Sequence, residues 1–392
     1  MRNGAFAIIN GKVLDSDKKA FFERNILISD GKIVKISTSD ITETEAIIDA
    51  EGKYIIPGLI DMHTHGALGI DMPEAYHFSA DDICRLMRDH YIHYGVTTVF
   101  PTYITVTLDE LKKASDNIYA VSRSGDNPVN IFGIHSEGVF LSHEKKGAHD
   151  ETLLRKPDIE EIEYIFSGFP GGKHVLSIAP EVDNALEVIK AATAKGYVVS
   201  AAHTNATAEQ TRKGIEAGVK SFTHLYNGMR SFSHRDPGVV GVALASDAYV
   251  ELICDGFHVH PEAIAMTRKA KGSDRVILIT DSVLPAGLPD GEYIEGTLKK
   301  IVKDSNIYLE NGTIAGSSLN LFKGVKNYMS FTGADLAEAV VCASANPAKL
   351  TGIYDITGSL DEGKQADLVI LDKNINIEDV YVKGVKKYSN LA

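Results

Sequence analysis

Short apolar segments alternate with amphipathic helical segments along the middle of the chain, from about Gly58 to Gly358. This βαβα alternation predicts an α/β fold in which helices cover a parallel sheet. The strand candidates are residues 96–100, 131–134, 175–178, 198–202, 221–224, 250–254 and 276–279, and helical candidates include residues 183–195 and 208–217. The number of strands and the length of the region favour a closed (β/α)8 TIM-like barrel over an open doubly wound sheet. No Gly-x-Gly-x-x-Gly motif opens the first helix, which weakens a dinucleotide-binding interpretation.

The two ends of the chain have a different pattern, made of short β-type segments and turns. The segments are residues 6–9, 25–28 and 33–36 near the start, and residues 366–371 and 380–382 near the end. Asn10-Gly11 and Asp30-Gly31 are residue pairs typical of hairpin turns. We therefore predict a small β-sandwich domain built from both termini. The expected organisation is residues 1–57 and 358–392 in this domain, with residues 58–357 in the barrel.

Composition excludes several classes of partner. The 392 residues carry a formal net charge of -13, and an acidic surface repels the phosphate backbone of a nucleic acid. The three cysteines are isolated and odd in number, so they form no disulfide framework and indicate a cytoplasmic protein. No apolar run approaches the roughly 20 residues that cross a bilayer, so we expect neither a membrane partner nor a signal peptide.

Imidazoles and carboxylates stand where the candidate barrel strands end. His63 and His65 follow the first strand, and the alternation of side chains along a strand places them on one face. By themselves they could equally be turn histidines that form ordinary hydrogen bonds. Later strand ends carry Glu137, His203, His224 and Asp281. Because the carboxyl ends of barrel strands meet at one mouth, we expect these side chains to converge on a metal site suited to zinc or iron. His135 shares a face with Glu137 and is expected to orient it.

The order of these residues resembles the amidohydrolase superfamily, and the resemblance narrows to the N-acetylglucosamine-6-phosphate deacetylase family. It implies one or two divalent ions per subunit, zinc or iron. Glu137, His203 and His224 match the ligands of one ion. His63 and His65 match members that bind a second ion with Glu137 bridging, whereas some members lack this pair and work with one metal. The segments that carry the resemblance are residues 57–66, 133–138, 146–149, 202–207, 223–229, 255–258, 280–281, 312–317 and 346–348.

The resemblance also implies the remaining site residues. Asp281 matches the catalytic acid/base, which accepts a proton from water and passes it to the departing amine. His258 is the candidate donor to the oxyanion that develops beside the metal. Family members are often homodimers that complete the phosphate pocket across their interface. Without the resemblance, Arg235 would be interpreted as a surface arginine paired with Asp236. The positions that match contacts to the sugar phosphate are Ala148, His149, Asn227, Gly228, Arg235, His258, Ile314, Ala315 and Gly316.

The reaction implied by the resemblance is hydrolysis of the acetamide of N-acetyl-D-glucosamine 6-phosphate to D-glucosamine 6-phosphate and acetate. The expected partner is thus a small sugar phosphate. Alternatives are a related substrate such as N-acetylgalactosamine 6-phosphate, a cyclic-amide hydrolase, or a barrel that serves as a non-catalytic scaffold. Pro73, Ser136, Val139 and Gly228 depart from the residues usual in the family. They border the sugar pocket, so they leave the identity of the hexosamine open.

Overall fold

The first part of the chain forms strands of a mixed β-sheet. The computed structural model describes residues 4–296 and 298–390, so residues 1–3 and 391–392 of the expected terminal domain lie outside the described residues. Asp30-Gly31 forms the turn between β2 and β3, as predicted. Asn10-Gly11 does not form a hairpin turn, because it lies inside β1 at a bulge, where Asn10 has a φ of 56°. The first strands are β1 (Phe6–Asp15), β2 (Ala20–Ser29), β3 (Lys32–Ser37), β4 (Ile47–Asp49) and β5 (Tyr54–Pro57).

Eight parallel strands follow and form the barrel, in the order β6, β9, β10, β11, β12, β13, β14, β15. The last strand meets the first through backbone hydrogen bonds from Asp281 N to His63 O (2.9 Å) and from His65 N to Ser282 O (2.7 Å). A short hairpin of β7 and β8 follows the first barrel strand. The strands are β6 (Leu59–Thr64), β7 (Gly66–Ala67), β8 (Ile70–Asp71), β9 (Val96–Tyr103), β10 (His135–Glu137), β11 (Val175–Ile178), β12 (Val198–Ala201), β13 (Val219–Phe222), β14 (Tyr249–Ile253) and β15 (Val276–Ile279).

Amphipathic helices connect the barrel strands. Thr107 and Glu110 form a capping box at the start of α2, and this helix buries Leu111 and Ile118 in the same core as Val99 of β9. The predicted helix at residues 208–217 coincides with α5. No described helix has both the length and the apolar character required to cross a bilayer. The helices are α1 (Ala80–Leu86), α2 (Leu108–Ser122), α3 (Ile159–Phe166), α4 (Ala185–Ala194), α5 (Ala208–Ala217), α6 (Gly238–Ala245), α7 (Pro261–Lys271), α8 (Leu321–Thr332), α9 (Leu336–Cys342) and α10 (Ala345–Thr351).

The end of the chain returns to the first sheet. After a three-stranded antiparallel sheet, β16 (Gly291–Glu295), β17 (Leu298–Lys303) and β18 (Asn306–Leu309), come β19 (Leu368–Leu371), β20 (Ile377–Val382) and β21 (Val385–Ser389). β19 pairs with β5, so both ends of the chain share one sheet in the order β21, β20, β19, β5, β1, β2, β3. The buried Asp367 carboxylate ties this sheet to the barrel by accepting hydrogen bonds from Asn130 and Thr357. The predicted (β/α)8 barrel is confirmed, and the strands of both termini form a second β unit as expected, built as one mixed sheet.

Candidate active site

The candidate ligands lie at or just beyond the carboxyl ends of five barrel strands. His63 is on β6 and Glu137 ends β10, whereas His203, His224 and Asp281 each lie two residues beyond a strand. The last three have φ angles of 41°, 32° and 52°, in the left-handed region that non-glycine residues rarely adopt. Such strain is characteristic of functional sites, because the surrounding fold must hold it in place. Here it turns each side chain into the mouth of the barrel.

Glu137 lies at the centre of the cluster, and its two carboxylate oxygens face different histidines. Its Oε1 is 2.8 Å from His224 Nε2 and 3.4 Å from His203 Nε2. Its Oε2 is 3.0 Å from His65 Nε2 and 3.3 Å from His63 Nε2. We call His203 and His224 the Oε1 pair, and His63 and His65 the Oε2 pair. A single carboxylate thus bridges two groups of potential ligands.

Asp281 belongs with the Oε2 pair. Its Oδ1 is 3.2 Å from His65 Nε2 and 3.5 Å from His63 Nε2. The Nε2 atoms of His63 and His65 are themselves 3.3 Å apart, and those of the Oε1 pair are 3.2 Å apart. Ring nitrogens that face each other at this distance around a buried carboxylate form the donor set of a divalent cation. His63, His65, Glu137 and Asp281 satisfy the geometry of a metal site, and so do Glu137, His149 and His203.

The charges of the cluster depend on one another. Burial lowers the pKa of His63 and of His65, but the carboxylates of Glu137 and Asp281 outweigh it, raising that of His63 well above its ordinary value and that of His65 to about 9. Burial raises the pKa of Glu137 and of Asp281, but the neighbouring histidines outweigh it and hold both low. The carboxylates are therefore ionised, and a cation that binds here must displace protons from the imidazoles.

The outer nitrogens of the histidines have different partners. His63 Nδ1 lies 3.3 Å from Oε2 of the fully buried Glu251, and His203 Nδ1 lies 2.8 Å from the backbone oxygen of Lys145. The expectation that His135 orients Glu137 is wrong. His135 contacts the Ser177 hydroxyl and the Met62 backbone oxygen instead, and its ring packs against His63.

Sequence reasoning missed Glu251 altogether. This residue lies in β14, between Val250 and Leu252, and its side chain is inaccessible to solvent. A carboxylate inside an apolar strand of a barrel is itself a signal, because an ionised group is buried only with a partner. The partner, His63, is distant along the chain, so the sequence of β14 alone does not predict this contact.

A cavity of about 430 Å³ opens beside these ligands. It brings together all but one of the residues matched to the sugar phosphate: Ala148, His149, Asn227, Gly228, His258, Ile314, Ala315 and Gly316. The exception is Arg235, which is exposed on the loop before α6 and is not part of the cavity wall. Asp236 pairs with Arg230 rather than with Arg235. The predicted phosphate ligand therefore lies outside the cavity of its own chain.

Two histidines of the cavity wall are held by specific hydrogen bonds. The backbone N–H of Thr105 donates to His149 Nδ1, so the ring hydrogen of His149 lies on Nε2. Burial lowers the pKa of His149 well below its ordinary value and keeps the ring neutral. His258 Nδ1 lies 2.6 Å from a carboxylate oxygen of Asp255. Both rings are thereby fixed in orientation at the edge of the cavity.

Gly228 explains one departure from the usual family pattern. Its φ is 59°, and a Cβ atom built there would lie only 2.7 Å from His203 Nδ1. A residue with a side chain would therefore press directly on a candidate ligand. Glycine leaves His203 free to bond the Lys145 backbone oxygen.

Comparison with known proteins gives one consistent set of relatives. Residues 54–387 match the model of the amidohydrolase family. The N-acetylglucosamine-6-phosphate deacetylase of Vibrio furnissii is 34% identical over 378 residues, which cover 96% of this chain and 92% of that protein. The N-acetylgalactosamine-6-phosphate deacetylase of Escherichia coli O157:H7 is 32% identical and covers 92% of this chain and 94% of its own length. The crystal structure of the N-acetylglucosamine-6-phosphate deacetylase from Thermotoga maritima superposes with a TM-score of 0.86 at 32% identity, and covers 98% of this chain and 100% of that one.

Proposed function

The chain belongs to the amidohydrolase family, and from this premise we propose that it is a metal-dependent deacetylase of N-acetyl-D-glucosamine 6-phosphate. The products are D-glucosamine 6-phosphate and acetate. The observation that carries the proposal is the division of the Glu137 carboxylate between two histidine pairs, with Asp281 beside one of them. A cyclic-amide hydrolase is disfavoured because such enzymes usually bridge their metals with a carboxylated lysine, whereas a glutamate stands here.

The residues of the cluster have distinct roles toward a metal. Glu137 and the Oε1 pair would hold one divalent ion, and the Oε2 pair would hold a second, with Glu137 between them. A divalent ion bound there polarises the acetamide carbonyl and lowers the pKa of water toward 7. Zinc and iron both suit imidazole and carboxylate ligands. Elemental analysis of the purified protein identifies which metal it holds and in what number.

Asp281 is our candidate acid/base. Its carboxylate is ionised and lies at the wall of the cavity, where it can accept a proton from the attacking water. The water oxygen then bonds to the carbonyl carbon, and the carbon–nitrogen bond breaks as Asp281 returns the proton to the amine nitrogen. An amine departs only when protonated, so one carboxylate serves both steps. Oδ1 of Asp281 lies 3.2 Å from His65 Nε2, so the acid/base candidate stands directly beside the Oε2 pair.

The fixed histidines of the cavity wall orient the substrate. His149 carries its hydrogen on Nε2 and can donate to an oxygen of the sugar phosphate. His258, held at Nδ1 by Asp255, is the candidate donor to the developing oxyanion. Asn227 and the backbone at residues 314–316 complete the wall on which the sugar would lie.

Arg235 would reach the phosphate from a second copy of the chain. It lies on an exposed loop outside its own cavity, three positions after Phe232, which is 56% exposed. An exposed arginine with an exposed aromatic neighbour is suited to an interface. We therefore propose a homodimer in which Arg235 of each subunit completes the phosphate pocket of the other.

Mixing two inactive variants tests the shared pocket. Arg235→Ala lacks the phosphate ligand and Asp281→Asn lacks the acid/base, so each homodimer should be inactive. After subunit exchange, a mixed dimer contains one pocket with both residues intact, and activity should return to about a quarter of the wild-type value if subunits pair at random. No recovery in a sample shown to contain mixed dimers would place Arg235 outside the partner's pocket.

The activity itself is tested by acetate release from a matched substrate set. The set is the 6-phosphates of N-acetylglucosamine, N-acetylgalactosamine and N-acetylmannosamine, each with its unphosphorylated sugar. We expect the highest kcat/KM on N-acetylglucosamine 6-phosphate, and loss of turnover after chelation with recovery on adding zinc or iron. Turnover confined to unphosphorylated sugars would contradict the proposal. A purified protein that holds no zinc or iron and stays inactive after either is added would favour the non-catalytic scaffold. The three unpaired cysteines suit a reducing cytoplasm, where we propose that the enzyme acts.

A further inference from the structure

Three buried ionisable residues from three different strands lie at the wall of the substrate cavity or of the smaller cavity beside it. They are Asp71 at the end of β8, Glu295 at the end of β16 and Lys300 on β17, with exposed fractions of 2%, 5% and 1%. Lys300 Nζ donates to Glu295 Oε1 at 2.5 Å. We call these residues the charged cluster. Burial and the neighbouring Glu295 carboxylate raise the pKa of Asp71 well above its ordinary value, so its carboxyl group is held protonated beside the ion pair of Glu295 and Lys300.

The hydrogen-bonding capacity of the charged cluster is not filled. The Lys300 ammonium has three hydrogens, and within residues 4–296 and 298–390 only Glu295 accepts one. The Asp71 carboxyl group has no hydrogen-bond partner in the same residues, and its Oδ1 is sealed from solvent. By contrast, Oε2 of Glu295 accepts a hydrogen bond from the Leu284 backbone and is fixed in place. Among the described residues, this buried carboxyl group and this buried ammonium have hydrogen-bonding capacity that a polar ligand would fill.

The charged cluster lies next to the candidate chemistry. Glu295 and Lys300 line the same cavity as His65 and Asp281. Asp71 lines a smaller adjoining cavity that shares Glu295 as a common wall. A small molecule in the main cavity therefore meets the ion pair directly.

We propose that Asp71, Glu295 and Lys300 form a subsite that binds a ring hydroxyl of the hexosamine and so selects among N-acetylhexosamine 6-phosphates. This inference rests on the proposed function. A hydroxyl both donates and accepts, so it matches a carboxylate next to an ammonium. A phosphate does not match, because burial and the Glu295 carboxylate raise the pKa of Asp71 well above its ordinary value, and the ion pair of Glu295 and Lys300 carries no net positive charge. N-acetylglucosamine and N-acetylgalactosamine differ in the direction of one ring hydroxyl, and a site whose buried polar groups lose their partner discriminates strongly.

Two variants and one matched control test the subsite. The double variant Glu295→Leu/Lys300→Met removes the ion pair at similar volume without leaving a lone buried charge. Asp71→Asn replaces the carboxyl group with an amide and keeps the shape. Lys299→Met is the control, because Lys299 is the neighbouring residue of β17 but pairs with Glu292 and Glu310 at the surface. Melting temperature and metal content are measured for each protein.

Each protein is assayed for acetate release from N-acetylglucosamine 6-phosphate and from its 1-, 3- and 4-deoxy analogues. We expect the wild type to lose about 10- to 100-fold in kcat/KM on one analogue, the one that lacks the bound hydroxyl. The double variant and Asp71→Asn should each lose a similar factor in kcat/KM on N-acetylglucosamine 6-phosphate. On the analogue that lacks the bound hydroxyl, their kcat/KM should stay close to that of the wild type. Lys299→Met should behave as the wild type.

The outcomes separate the subsite from the proposed function. Equal losses on every substrate, or no loss at all, would overturn the subsite and leave a purely structural ion pair. A wild type that discriminates against none of the deoxy analogues would overturn it as well. A wild type that releases no acetate from any N-acetylhexosamine phosphate would overturn the proposed function, and the subsite with it. Asp71→Asn decides the matter if the double variant does not fold.

Discussion

The two histidine pairs around Glu137 are held in different ways. In the Oε1 pair, His203 and His224 take left-handed backbone conformations beyond their strands, and the outer nitrogen of His203 bonds a backbone oxygen. In the Oε2 pair, His63 lies within β6 and its outer nitrogen faces the buried carboxylate of Glu251. The acid/base candidate lies with the second pair alone. The histidines of the Oε1 pair are therefore held by backbone conformation, whereas His63 of the Oε2 pair is held by its strand and by a buried side chain.

Substituting Glu137 should have the largest effect, because its carboxylate contacts both histidine pairs. Glu137→Gln replaces a bridging carboxylate with a neutral amide, so we expect both ions to be lost and turnover to fall below detection. Elemental analysis after dialysis measures the bound metal. Glu181→Gln is the control, because that carboxylate binds Thr204 and the Asn205 backbone and should leave metal content unchanged. Full metal occupancy in Glu137→Gln would contradict the bridging role.

The acid/base substitution should come next. Asp281→Asn preserves shape but cannot accept a proton, so kcat should fall about 10²- to 10⁴-fold. Metal bound by Glu137 and the Oε1 pair should remain, because Asp281 contacts only the Oε2 pair. Steady-state kinetics and metal analysis on one preparation measure both effects. A kcat near the wild-type value would assign the proton transfer to another residue.

Substituting Glu251 should affect only one half of the site. Its carboxylate orients His63, so Glu251→Leu should weaken the ion at the Oε2 pair by about 10- to 100-fold and leave the other ion in place. Glu251→Gln retains an oxygen that can accept from His63 Nδ1 and should recover part of the affinity. Metal titration monitored by competition with a chelating dye measures both variants. Equal weakening of the two ions would remove the distinction between the halves.

The smallest expected effect is on thermal stability as a function of pH. The pKa of His65 is raised to about 9 from 6.5 by Asp281 and Glu137, which outweigh burial. In metal-free protein this proton contributes stability that is fully present below pH 6.5 and lost as the pH rises through about 9. Metal-loaded protein has neutral imidazoles and escapes this loss. The difference in melting temperature between metal-loaded and chelated protein should therefore grow by on the order of 2 °C between pH 6.5 and 9. A difference that stays constant over this range would contradict the prediction.

Sequence pattern was informative wherever it depended on neighbours along the chain. The strand at residues 175–178 and the helix at residues 208–217 coincide with β11 and α5, because apolar periodicity and a capping box act locally. The polar strand ends were recognised for the same reason. Asn10-Gly11 shows the limit of local rules, since the same backbone angles suit a hairpin turn and a bulge. Only pairing with β2 decides between them.

The contacts that sequence could not supply join residues far apart. Glu251 meets His63 across 188 positions, and nothing local to β14 specifies that partner. Glu295 and Lys300 are close in sequence, but only the fold shows that their ion pair faces the cavity rather than solvent. Arg235 is the opposite case. The family resemblance predicted it as a phosphate ligand, but in the fold it lies outside the cavity of its own chain.

The junction between the first and last strands of the barrel, β6 and β15, has a consequence for folding during synthesis. Asp281 N bonds His63 O, and Thr280 Oγ1 bonds the nearby Asp61 carboxylate 219 positions away. A growing chain on the ribosome therefore has His63 and His65 early but lacks Asp281 until most of the barrel has been synthesised. The Oε2 half of the site takes its final form only when the first and last strands join. If this half holds an ion as proposed, tight metal binding there would report that the barrel has closed, and a chain truncated before Asp281 would lack that ligand environment.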